Sequence, residues 1–73
     1  MKVITQNGKN VLTAHIFKAH ELEEGPQWLS MKGDDVVTLE WVECDRVVYR
    51  SNNGSSFNQS VFAFQLAYNL IVR

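Results

Sequence analysis

The chain of 73 residues has one cysteine, one proline and four glycines, and from Ser51 to Val72 it has no Asp, Glu, Lys or Arg. Each shortage excludes something. With Cys44 alone, no disulfide can close within the chain, and a lone thiol fits a reducing compartment. Gly8, Gly25, Gly33 and Gly54 stand isolated, so neither a dinucleotide fingerprint nor a P-loop is present. No apolar run approaches the roughly 20 residues of a membrane-spanning helix. The opening MKVITQNGKN lacks the apolar stretch of a secretory signal. The expectation is a cytoplasmic protein with no membrane partner.

Catalytic patterns are equally scarce. His15 and His20 are five residues apart, which shares a face in neither helix nor strand. With Glu21 and Cys44 they give none of the tight ligand pairs of structural zinc. Cys44 lies between Glu43 and Asp45, a setting that does not suit a thiolate nucleophile. No serine sits in a G-x-S-x-G elbow. Glu23-Glu24 and Asp34-Asp35 are sequence neighbours that point apart, which makes them poor acid–base pairs. A chain this short also has little room for a water-excluding ligand pocket. The sequence therefore predicts no catalytic residues, no metal and no cofactor, and a protein that is not an enzyme.

What is present is a globular composition, 45% hydrophobic and 21% charged. Seventy-three residues make a single small domain, 1–73, with a thin core. Net charge is only −1, but all eight acids lie between Glu21 and Asp45, where Lys32 is the single base. That segment carries −7. The other six bases are scattered and accompany no aromatic stacking motif, so direct nucleic-acid binding is not expected. The acidic middle suits a target protein with a basic surface.

The chain reads as α+β. Lys2–Gln6 is a short strand ending in Asn7-Gly8, the strongest short hairpin signal. A second strand is expected over Val11–Lys18, then an irregular or helical turn to Glu24, closed by Gly25-Pro26. Gln27–Met31, Val36–Glu43 and Arg46–Ser51 form a three-stranded antiparallel meander. On Val36–Glu43, Val37, Leu39 and Trp41 share the apolar face and are expected in the core.

The charge-free end fits two periods. Phe62, Phe64, Leu66, Tyr68, Leu70 and Val72 alternate as in a strand. Phe57, Val61, Phe64, Tyr68 and Ile71 make a helical stripe. A domain of this length is roughly 29 Å across. A twelve-residue strand would overrun it at about 40 Å, whereas a sixteen-residue helix would fit at about 24 Å. Ser56 and Gln59 have capping-box spacing. The expectation is a C-terminal helix packed on a sheet built from the N-terminal hairpin and the meander. A small all-β barrel is the alternative.

Such a helix has too narrow a polar face for one-sided burial, so a second cover is expected. The simplest is a twin, in a homodimer meeting through Phe62, Gln65, Asn69 and Val72. Trp28, beside the acidic segment, is either core closure or an interface anchor. The leading functional expectation is a non-enzymatic protein-binding module using Glu21, Glu23, Glu24, Trp28, Asp34 and Asp35. Many proteins of this size class come from phages or mobile elements and inhibit a host protein, such as a defence nuclease. The alternative is a structural subunit that self-assembles through the apolar C-terminal segment.

Overall fold

The computed structural model describes residues 2–13 and 16–72, and among them seven strands form one antiparallel sheet. β1 (Lys2–Gln6) and β2 (Lys9–Thr13) make the N-terminal hairpin. Asn7 and Gly8 turn between them with φ of +50° and +76°, the two positive values a type I′ turn demands. A single 3-10 turn, Ala19–Glu21, precedes β3 (Gln27–Ser30). β4 (Val36–Glu43), β5 (Arg46–Ser51) and β6 (Ser56–Ser60) follow, each antiparallel to the strand before it. Then come α1 (Val61–Ala67) and β7 (Tyr68–Ile71).

The spatial order is β1-β2-β7-β3-β4-β5-β6. The last strand lies inside the sheet, antiparallel to β2 on one side and β3 on the other. It joins the N-terminal hairpin to the meander, with Leu70 and Ile71 paired to β2 and Tyr68, Asn69 and Leu70 paired to β3.

The expected antiparallel sheet with one helix near the C-terminus is present in outline, with corrections in detail. The sheet contains β6 and β7 beyond the expected hairpin and meander. The second strand is Lys9–Thr13 rather than Val11–Lys18. Of the expected span, Ala14 and His15 lie outside the described residues, as does Arg73. The expected sixteen-residue helix is divided into strand, helix and strand. Its N-cap is Ser60 rather than Ser56, with the Ser60 hydroxyl accepting from the Ala63 N–H at 3.1 Å. Ala63, Gln65, Leu66 and Ala67 are good helix formers. Tyr68, Ile71 and Val72 prefer a pleated surface, and the backbone becomes extended at Tyr68, φ −136° and ψ 148°.

The core lies between α1 and one face of the sheet. Trp28, Val37, Leu39, Val47 and Tyr49 rise from the strands to meet Val61 and Phe64 of the helix. Phe64 is fully buried, its ring centroid 4.9 Å from those of both Trp28 and Tyr49, within the favourable range for aromatic pairs. Trp28 takes core closure, one of its two expected roles, but Trp41 does not take its expected place in the core. Trp28 is core, 3% exposed, while Trp41 is 55% exposed. A β-bulge explains it. Leu39 pairs with Tyr49 and Trp41 with Val48, so Glu40 is the extra residue. The bulge reverses the alternation, turning Trp41 outward and giving its core position to Val42, which packs against the cluster.

Candidate functional site

Between β2 and β3 the chain crosses the core face beside α1. Phe17, Ala19 and Leu22 pack onto the core from this segment. The Phe17 N–H donates to Gln65 Oε1 at 2.7 Å, and Gln65 Nε2 donates back to the Phe17 carbonyl at 2.8 Å. The 3-10 turn is closed from both ends. The Glu21 N–H donates to the Lys18 carbonyl at 2.9 Å, and the Lys18 N–H donates to Glu21 Oε1 at 2.8 Å. Further on, Glu24 Oε2 accepts from the Val42 N–H at 3.2 Å, and the Gly25 N–H donates to the Leu39 carbonyl at 2.7 Å. The segment is thus fixed to the helix at one end and to β4 at the other.

This crossing leaves a hollow of about 220 Å³. Phe17, Leu22 and Leu70 wall it, Trp28 lines it from the core, and Glu21 and Glu23 stand on its rim. Glu23 is exposed and has no hydrogen-bond or ion-pair partner among the described residues. It also borders an adjoining hollow shared with Glu24 and Gln27. Trp28 carries a second feature: its Nε1 is buried with no acceptor among the described residues.

The six residues expected to form one partner surface are not contiguous. Glu21, Glu23 and Glu24 gather before β3. Asp34 and Asp35 follow it, at the other end of a strand of about 13 Å. There the Ser30 hydroxyl donates to Asp34 Oδ1 at 2.8 Å and accepts from the Asp35 N–H at 3.3 Å. These two acids border a different hollow, with Asn52 and Phe57. Of its two expected roles Trp28 takes core closure and not surface anchor, and it lines the first hollow.

The expected self-association residues also separate. Phe62 is 62% exposed, on the side of α1 away from Phe64. Gln65 is 4% exposed and serves the Phe17 clamp, so it is corrected from interface to interior. Asn69 pairs with Leu29 within the sheet, and Val72 donates its N–H to the Asn10 carbonyl at 2.8 Å; both are half-buried. Leu66, 58% exposed and four residues after Phe62, belongs beside it. Its i+4 spacing was the signal that could have named it.

Phe17, Leu22, Pro26 and Leu70 around the first hollow were not expected as site residues. Only the fold brings residues 17–26 to Leu70. Among the described residues no three of His, Cys, Asp and Glu gather as a metal cluster, and no helix is long and apolar enough to cross a membrane. Burial raises the Tyr49 phenol to about 12, with the neighbouring Tyr68 phenol and then the charge of Asp35 adding to the shift. Comparison with protein-family models, curated proteins and solved structures finds no match to the chain.

Proposed function

We propose that this protein is a non-enzymatic binding module that engages a partner protein through the acidic segment Glu21–Glu24 and the hollow beneath it. The observation that carries this is the unpaired, exposed Glu23 on the rim of an apolar hollow, flanked by Glu21 and Glu24. A held backbone that presents the exposed Glu23 loses little freedom on binding, and the charge of the segment steers a basic surface toward it. A narrower form of the reading is inhibition of a host nuclease, whose phosphate-binding groove is basic by necessity. Capture from source-like cells with tagged wild type and with Glu23→Lys tests the reading. A stoichiometric partner, released by moderate salt and lost with the variant, is the expected result. Equal capture by both would overturn it.

A second reading has its own observation. Phe62 and Leu66 leave an apolar strip on the outer side of α1, which suits self-assembly. Light scattering across a concentration series, with Phe62→Glu alongside, tests it. A dimer that the variant dissociates would support it, and a monomer at every concentration would rule it out.

A further inference from the structure

We infer that the open edge of β6 pairs with the same edge of a second copy of this chain, antiparallel, about a twofold axis at Asn58. This rests on the self-assembly reading above and names where the copies join. β6 ends the sheet, so one of its edges has no strand beside it. Its paired edge fixes which groups are open. The Ser51 N–H donates to the Ser55 carbonyl at 2.9 Å, and the Val61 N–H to the Asp45 carbonyl at 2.6 Å. Backbone groups along an antiparallel strand alternate sides residue by residue, so Phe57 and Gln59 turn theirs to Tyr49 and Val47 of β5. Ser56, Asn58 and Ser60 turn theirs outward. The Ser60 carbonyl starts α1, as that of an N-cap residue does. No other backbone bond is made from that side among the described residues. A row of free N–H and C=O groups at strand spacing is complementary to another extended backbone.

The strand that fits is a second copy, for three reasons. First, β6 reads Ser-Phe-Asn-Gln-Ser, with no charge, no proline and no bulge, the guards that natural edges use against pairing. The other edge is guarded. β1 begins with Lys2, and where it ends Gln6 and Asn7 bond to the Met31 and Gly33 carbonyls. Second, the outward set is symmetric about Asn58. An axis there sets Asn58 against its twin in a pair that exchanges both N–H···O bonds. It also brings each Ser60 N–H to the Ser56 carbonyl across the axis. No residue is out of register, and no like charges meet. Third, Phe57 is 48% exposed at this edge and stacks on Tyr49 at 5.6 Å. Across the axis it faces Gln59, and the two Phe57 residues become diagonal neighbours at about 7–8 Å, within aromatic reach. A net charge of only −1 opposes association little. The result is one sheet through both copies, with both α1 helices on the same face. The acidic rim at residues 21–24 precedes β3, three strands from β6, and stays open in each copy.

Amide hydrogen exchange of the full chain, followed by NMR at low and high concentration, tests this beside light scattering on the same samples. The expected result is a dimer at high concentration in which the Asn58 and Ser60 amides slow at least about tenfold. The Phe57 and Gln59 amides, already bonded to β5, should be slow throughout. Cysteine placement checks the axis. In a Cys44→Asn background, Asn58→Cys sets two thiols across a hydrogen-bonded pair, with Cα atoms about 5.5 Å apart, inside disulfide range. Ser56→Cys sets them four residues out of register, more than about 13 Å apart. Mild oxidation should therefore link Asn58→Cys at least about tenfold faster than Ser56→Cys. A dimer whose Asn58 and Ser60 amides stay unprotected, or equal linking of both variants, would overturn the β6 pairing and leave self-assembly to the outer side of α1. A monomer at every concentration would overturn the pairing and the self-assembly reading together.

Discussion

Gln65 and Phe17, 48 positions apart, are joined by two opposed hydrogen bonds, N–H to Oε1 at 2.7 Å and Nε2 to carbonyl at 2.8 Å. The side-chain amide stands in for a neighbouring strand. It binds the segment that carries Glu21, Glu23 and Glu24 to a helix on the core face. The acidic rim is therefore held by the interior, through a glutamine that the sequence marks as just another polar residue.

Gln65→Leu removes both bonds and leaves the Phe17 N–H and carbonyl to find water. Such a loss costs roughly 1–3 kcal/mol. Urea denaturation should report that decrease, and hydrogen exchange should report lost protection at the Phe17 amide. Unchanged exchange at Phe17 would mean the clamp does not hold the segment in solution.

Phe62 and Phe64 are two residues apart with opposite surroundings. Phe64→Ala should cost about 3–5 kcal/mol, as for other buried phenylalanines. A domain of this length has only about 4–11 kcal/mol in total, so the variant should be barely folded. Phe62→Ala should change stability by no more than about 0.5 kcal/mol. Denaturant titration of the pair checks the direction in which α1 faces.

Tyr49 sets an alkaline limit. Its phenol titrates near 10 unfolded and at about 12 folded. Between those values the unfolded chain releases the proton while the folded chain keeps it, so stability falls as pH rises. Below pH 10 the contribution is complete. Tyr49→Phe should flatten the fall between pH 10 and 12 relative to wild type. Parallel curves for the two proteins would show that Tyr49 ionises without hindrance in the fold.

Gly33 and Gly54 both have positive φ, +80° and +89°, but different space. A Cβ on Gly33 would stand 2.7 Å from Asn7 Nδ2 and 3.0 Å from Gln6 Nε2, where the two hairpin ends meet. There Asn7 Nδ2 donates to the Gly33 carbonyl and Gln6 Nε2 to the Met31 carbonyl at 2.9 Å. A Cβ on Gly54 meets nothing. Both alanine variants incur the left-handed backbone cost of roughly 1–2 kcal/mol. Gly33→Ala should cost measurably more, by thermal or chemical melting, because Asn7 and Gln6 must also move.

The strands most open to reading were those with local signals. Val36–Glu43 and Arg46–Ser51 match their expected bounds, and Asn7-Gly8 turns as its chemistry requires. The C-terminal segment resisted because both of its periods are real in different places. Val61, Phe64 and Gln65 obey the helical spacing, and Tyr68 and Leu70 obey the alternation. The radius of gyration, 11.2 Å, agrees with the size used to choose between them, but that choice compared one long helix with one long strand and not a division. Burial accounts for part of the missing charge. Residues 61–67 bury one side against the core, and Tyr68–Ile71 are enclosed in the middle of the sheet. The bulge at Glu40, which turned Trp41 outward, has no local signature. The hollow over Trp28 needs residues 17–26 and Leu70 together, a juxtaposition set by β7 entering between β2 and β3.

The most direct test is the affinity of the captured partner for wild type, Glu23→Lys and Phe62→Glu at low and moderate salt. Glu23→Lys should weaken binding at least about tenfold at low salt and flatten its salt dependence, since exposed charges are screened. Phe62→Glu should bind as wild type does. Contradiction would be the reverse pattern, with Glu23→Lys binding normally and Phe62→Glu failing. The working surface would then be the outer side of α1, and the acidic rim a solvated edge.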